Sequence, residues 1–339
     1  MRGVSLTCAA ELAALSACAT TPAPQGLPPV AVTARAETVP VGTTNRDAAD
    51  DPAIWRNAAD PAASLIVATD KRAGLYVYDL DGGMRSFTDS GQVNNVDLAD
   101  LGDAGVIVVA SDRNDLARAV LQVYRLDTVA GRLVPLASGP GGLGEGYGLC
   151  LGAHGGVLRA YSVLKDGRIV EVRIDLGTTV QFTPERQLAV PSQAEGCVVD
   201  HRNGTLYVGE EGGGLWRFAT GATAGESVAP IDNRYLVADL EGLALAPSGE
   251  RGGYLVASSQ GDNAYAVFSL PDMAPRGRFR VAAGALGGTE ETDGIELALG
   301  NFGPDYPQGL LVVQDGHNAP APQNFKLVSW ADVIAALEL

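Results

Sequence analysis

The chain has 339 residues, 46% of them hydrophobic, and a formal charge of −16. That balance excludes nucleic acid as a partner, because a phosphate backbone demands clustered Lys and Arg, and it invites bound cations. Forty-three glycines speak for many tight turns rather than long helices, and the length suits either two ordinary domains or one repeat array.

Taken in chain order, residues 1–18 read as an export signal. Arg2 supplies a positive end, residues 3–17 are mostly small and apolar, and Leu15-Ser16-Ala17-Cys18 resembles a bacterial lipobox. Cys18 is then the lipidation site of an exported outer-membrane lipoprotein, with a periplasmic or secreted protein as the alternative. Residues 19–36, with Pro22, Pro24, Pro28 and Pro29, have the composition of a solvated tether. No other stretch stays apolar long enough to span a membrane, so the membrane is reached only through that anchor. A folded, monomeric domain is expected over 37–339, with Val39–Val41 as an outer strand that closes it.

From Asp50 onward a pattern repeats six times, about every fifty residues. Each unit opens with a short strand-like piece: Asp50-Asp51-Pro52-Ala53-Ile54-Trp55, Asn95-Val96-Asp97-Leu98, Gly146-Tyr147-Gly148-Leu149, Glu195-Gly196-Cys197-Val198, Glu241-Gly242-Leu243-Ala244 and Asp293-Gly294-Ile295-Glu296. A more apolar second strand follows, ending at Lys71, Arg113, Lys165, Glu211, Gln260 and Asp315. Third strands alternate with period two, as in Leu75-Tyr76-Val77-Tyr78 and Leu215-Trp216-Arg217-Phe218. Turn clusters such as Asp81-Gly82-Gly83 separate them. Six such units predict an all-β fold, a six-bladed β-propeller of four-stranded antiparallel sheets whose first strands line a central channel. Ser329–Leu339 reads as a short C-terminal helix.

Regular repeats bring equivalent positions to the same height on one face. Asp50, Glu195, Glu241 and Asp293, joined by Asp239, Glu211 and Glu37, are then carboxylates gathered at one end of the channel. Such a cluster raises its own pKa values, and hard divalent cations relieve the repulsion. Oxygen donors without nearby His or Cys favour Ca²⁺ over zinc or copper. A single Asp-Gly or Glu-Gly pair would merely start a strand with a turn; recurrence in four units favours a site. Lys71, Arg72, Arg113 and Lys165 form the opposite half, suited to gripping phosphate, and Tyr147 replaces the acid in unit three. Metals facing a cationic clamp is the layout for transferring a phosphoryl group to water. There is no Gly-x-Ser-x-Gly elbow and no Cys-His pair. His154, His201 and His317 lie beside glycine turns and read as surface groups. Cys150 and Cys197 fall in first strands of neighbouring units, either bonded or as two buried thiols.

The strings Asp50-Asp51-Pro52-Ala53-Ile54-Trp55, Asn94-Asn95-Val96-Asp97, Glu195-Gly196-Cys197, Leu206-Tyr207-Val208-Gly209-Glu210-Glu211, Asp239-Leu240-Glu241-Gly242-Leu243, Thr292-Asp293-Gly294-Ile295 and Gln314-Asp315-Gly316 resemble, in order, those of the β-propeller phytases. The resemblance runs from about Glu37 to the C-terminus. It implies a phosphomonoester hydrolase of the 3-phytase type, acting on phytate (myo-inositol hexakisphosphate) or lower inositol phosphates. Several Ca²⁺ ions would sit in the channel mouth, and a water bridging them would attack phosphorus directly. The implied metal ligands are Glu37, Asp50, Glu195, Glu211, Asp239, Glu241 and Asp293, and the implied phosphate contacts are Lys71, Arg72, Arg113, Tyr147 and Lys165. Catalysis would fall to Glu195, Asp50, Glu211 and Lys71. Gly287 and His317 depart from the family, which commonly has acids there for a structural Ca²⁺, so thermal stability should depend on calcium less than is usual. The competing readings are a non-catalytic propeller lipoprotein that binds a partner or an anionic polymer, and a one-metal lactonase, against which the cationic half speaks.

Overall fold

The computed structural model describes residues 3, 25–44 and 47–339; the lipobox-like segment and Cys18 lie outside them. Six sheets form six blades around a channel. Blade one is Ala49–Trp55, Leu65–Asp70, Gly74–Tyr78 and Met84–Asp89. Blade two is Val93–Asp100, Val106–Asp112, Arg118–Asp127 and Arg132–Leu143, and blade three is Gly146–Gly152, Leu158–Leu164, Arg168–Leu176 and Val180–Ala189. Blade four is Ala194–Asp200, Thr205–Glu210, Gly214–Phe218 and Glu226–Pro230, and blade five is Leu240–Ser248, Gly252–Ser259, Ala264–Ser269 and Pro275–Val281. Blade six holds Ile295–Leu299, Gly309–Asp315 and Asn324–Ser329, followed by the helix Trp330–Leu337. The β-propeller expected from the repeats is therefore the fold.

Side-chain alternation explains why the blades stack. In Leu65–Asp70, Ile66 and Ala68 enter the core shared with blade six, whereas Leu65 and Val67 enter the core shared with blade two. In Val106–Asp112, Val106, Val108 and Ala110 face blade one, while Ile107 and Val109 face blade three. Second strands thus bury both faces, which is why they read as unbroken apolar runs. Each neighbouring pair of blades encloses its own hydrophobic cluster.

The N-terminal segment corrects two expectations. The outer strand of blade six is Ala36–Glu37, paired antiparallel with Leu327 and Lys326, rather than Val39–Val41. Val39 instead donates to the Gly82 carbonyl. Part of the supposed tether is also folded, because Val30–Val32 adds a parallel fifth strand to blade five through pairing with Phe279–Val281. The reason is anchoring: Gly26 donates to Asp262 and Leu27 accepts from Arg278, so prolines at 28 and 29 interrupt no sheet. Cys150 and Cys197 form a disulfide between the first strands of blades three and four, settling the alternative left open by sequence.

The first strands carry the feature that builds the site. In blades one to five a register shift follows the pairs Ala49–Asp70, Val93–Asp112, Gly146–Leu164, Ala194–Glu210 and Leu240–Ser259. Such bulges re-aim side chains. The residues just after these pairs are Asp50, Asn94, Tyr147, Glu195 and Glu241, and Asp293 is their counterpart before Gly294. The glycines that follow in blades three to six are not turn residues. A Cβ on Gly148 would lie 1.9 Å from the Glu195 carbonyl, and one on Gly196 would lie 2.1 Å from the Glu241 carbonyl. Gly242 and Gly294 donate their N–H groups to the Asp293 and Asp50 carbonyls at 2.7 and 3.0 Å. Glycine lets neighbouring first strands touch, and that contact brings the acids before them together.

Candidate active site

Two columns meet at the channel mouth. The inner column is Asp50, Asn94, Tyr147, Glu195, Glu241 and Asp293. The outer column follows each second strand: the backbone N–H groups of Lys71, Arg113, Lys165, Glu211, Gln260 and Gly316 donate to Ala48, Gln92, Glu145, Gln193, Asp239 and Glu290 at 2.7–3.1 Å. One hydrogen bond repeated six times fixes the height of the five side chains of this column and of Gly316 in blade six.

Glu195, Glu211 and Glu241 each present a carboxylate oxygen within 4.8 Å of the others, and all three are buried. Burial pushes the Glu195 carboxyl up to about 7, with Asp293 adding to the shift while Lys71 and Tyr147 work against it. Burial and then Glu195, Asp293 and Glu211 hold Glu241 well above the carboxylate range. Asp50 is raised chiefly by burial, and Lys71 offsets part of that. Glu211 is raised for the same first reason, although Gln193 donates to its Oε1 at 2.8 Å. Asp50 Oδ2 and Glu241 Oε2 are buried without any hydrogen-bond partner. Orphaned carboxylate oxygens are costly, and an all-oxygen cluster of this kind fits a hard divalent cation such as Ca²⁺. Asp239 is exposed at the rim of the same cluster, where its charge acts on Glu211 and Glu241.

The cations divide unequally. Lys71, buried, places Nζ 2.9 Å from Asp47, 2.9 Å from Asp293 and 3.3 Å from Asp50. Burial opposes its charge, yet these acids raise its pKa. It is the internal counter-ion of the acidic side rather than a member of a free basic half-ring. Arg113 and Lys165 stand 3.7 and 3.9 Å from Glu145, and Lys165 Nζ lies 4.9 Å from the Tyr147 ring centroid. The Arg113 Nε is buried and unpartnered. Tyr147 lies beside Glu195 and Glu211 and favours their charged forms. Arg72 is exposed, with Nε on the Asp47 carbonyl at 3.1 Å. Glu37 is not brought to the channel cluster: it pairs with Lys326 and Asn324 on the third strand of blade six.

Sequence reasoning aligned unit two on Asn95–Leu98, and the structure moves the register. Asn94 is the true member of the inner column. Fully buried, it accepts from the Arg113 guanidinium at 2.6 Å and donates to Glu195 Oε1 at 2.5 Å. Arginine can only donate and a carboxylate can only accept, so the bridging group must do both, as the Asn94 amide does. Asp97 lies deeper, where Leu98 and Leu151 donate to it, and it neighbours Asp51 and Glu296 in the channel. Counting one residue forward from Val93, the residue opposite Asp112, finds Asn94. Gln260, donating to Asp293 at 2.7 Å, was visible in the outer column but carried no charge to flag it. His154, His201 and His317 are exposed.

The family model described as "Phytase" matches residues 3–338. The "3-phytase" of Bacillus subtilis (strain 168) is 35% identical over 327 residues, covering 89% of this chain and 84% of that protein. Among solved structures, a chain in a "Crystal Structure of Mitotic Checkpoint Complex" aligns with TM-score 0.52 and 11% identity, covering 94% of this chain and 99% of the other. That likeness concerns the fold alone.

Proposed function

The chain belongs to the phytase family and is a phosphatase of that type, and on this premise we propose that it hydrolyses phytate at the channel mouth with calcium as its cofactor. The observation that carries this reading is the meeting of Glu195, Glu211 and Glu241 within 4.8 Å, beside Tyr147, Arg113 and Lys165. Glu195, Glu211, Glu241 and Asp50, with Asp239 and Asp293 at their edges, would hold the calcium. Calcium bound there supplies charge to offset the phosphate and acidifies the water that attacks phosphorus.

The protein's own groups do the rest. Arg113 and Lys165 bind phosphate oxygens. Asn94 holds that guanidinium in register with Glu195. Tyr147 sits between Glu195 and Glu211 on one side and the Lys165 ammonium on the other. Lys71 keeps Asp50 and Asp293 compatible as neighbours. Phosphate release from phytate, with calcium and then with chelator, tests the proposal. No release from folded protein in saturating calcium would remove it.

We also propose export with lipidation at Cys18. The small apolar run before Cys18 supports this, and so does the Cys150–Cys197 disulfide, a bond of oxidising compartments. Incorporation of labelled palmitate, lost in Cys18→Ser, is the expected result. Equal labelling of both proteins would contradict it.

A further inference from the structure

The Lys326 side chain is 0% exposed, although it carries a charge. Its ammonium touches Glu37 Oε2, Asn324 Oδ1 at 3.1 Å, Asp315 Oδ2 at 3.2 Å and Asn318 Oδ1 at 3.3 Å. Two carboxylates and two amide carbonyls with no nitrogen or sulfur donor is the ligand set of a hard cation. An ammonium has three protons, fewer than the four oxygens turned toward it. Gly287 borders the group, since a Cβ there would stand 3.5 Å from Nζ. A cavity of about 560 Å³, lined in part by Gly287, Asp315, His317 and Asn318, opens beside it.

The position of the cage matters as much as its chemistry. Glu37 belongs to the outer strand that closes the ring, Asp315 ends the second strand of blade six, Asn324 begins the third, and Asn318 lies between. The closing strand is short: Ala36 pairs with Leu327 and Glu37 with Lys326, and backbone N–H groups of Arg35 and Thr38 donate to the Leu327 and Phe325 carbonyls. The ion cluster ties those few residues to the far end of the chain, 289 positions away.

We propose that this is a cation site carrying its own cation: Lys326 stands where a divalent metal would fit and fastens the closing strand to blade six without calcium. The inference concerns the fold, so it survives or fails independently of the phytate reading. Removing the ammonium but keeping its bulk, as in Lys326→Met, leaves Glu37 and Asp315 facing an apolar chain. Removing both, as in Lys326→Ala, leaves an oxygen cage that a metal can enter from the cavity.

The test combines amide hydrogen exchange of the closing strand with a count of calcium bound per chain, using the full-length protein. In the wild type, exchange at Glu37 and Thr38 should be the same in calcium and in chelator. In Lys326→Ala it should run roughly 100-fold faster in chelator and return to the wild-type rate in calcium, with one more ion bound than the wild type holds. In Lys326→Met it should be fast in both. Loosening of the wild-type strand on chelation would overturn the proposal, and that arm needs no variant to fold. So would a Lys326→Ala protein that gains no ion.

Discussion

Two acid clusters stand on this propeller, and they are neutralised in different ways. At ring closure, Glu37 and Asp315 meet the Lys326 ammonium, and Glu37 is held below the usual carboxylate range by that contact, which outweighs its burial. At the channel mouth, Glu195, Glu211 and Glu241 also crowd together, yet among the described residues no ammonium reaches their centre, and Glu241 Oε2 and Asp50 Oδ2 are left without partners. A fold that can satisfy buried carboxylates internally leaves one set unsatisfied. On the function proposed above, the difference separates structure on one side from chemistry on the other, in keeping with the clustering of displaced pKa values at functional sites.

The largest effect should come from Glu195→Gln. Turnover of phytate should fall about 1,000-fold or more, as for other groups that organise transition-state charge. Thermal unfolding of the metal-free protein should meanwhile improve at pH 8, because Gln copies the neutral form that burial favours. Activity near the parental level would erase the distinction between the clusters.

Next in size is the pH dependence of metal-free stability. The Glu195 pKa lies near 7 in the fold against 4.5 for the free group. Below pH 4.5 both folded and unfolded chains hold the proton. Between 4.5 and 7 the unfolded chain releases it first, so stability falls as pH rises, and the loss is complete above 7. Denaturant unfolding in chelator should therefore show a less stable protein at pH 8 than at pH 5, and calcium should abolish the difference. A metal-free protein that gains stability toward pH 8 would contradict the assignment.

Lys71→Ala sharpens the comparison from the opposite direction. Its ammonium serves Asp47, Asp50 and Asp293 together. Its loss should destabilise the metal-free protein by roughly 3 kcal/mol in denaturant unfolding, with calcium restoring that stability; an unchanged unfolding midpoint in chelator would show the ammonium to be no counter-ion. The smallest effect is expected from Asn94→Leu, which keeps the volume and removes both hydrogen bonds. A roughly tenfold loss in kcat/KM with unchanged unfolding would separate positioning of Arg113 and Glu195 from mere packing. An unchanged kcat/KM would show the bridge to be idle.

The repeats made the architecture legible, since apolar alternation, turn clusters and spacing all agree with six blades. The acid-glycine pairs were legible as a recurring signal, but their reason was not. Only the structure shows that Gly148, Gly196, Gly242 and Gly294 allow first strands to touch. Asn94 escaped because a neutral amide carries no charge pattern and Asp97, three residues on, imitated the acid of its column. Glu37 misled for the same reason: an acid at the right end of the chain has a carboxylate, but its partner Lys326 lies at the other end of the sequence. Val30–Val32 was masked by the prolines before it, which say nothing about a strand pairing through the residues after them.

We propose that calcium completes the unsatisfied cluster and that the phosphatase chemistry takes place there. A ³¹P NMR time course of phytate with the parent protein, first in chelator and then after adding calcium, tests it most directly. Negligible release in chelator and steady appearance of inorganic phosphate once calcium is restored is the predicted result. Equal release under both conditions would contradict it.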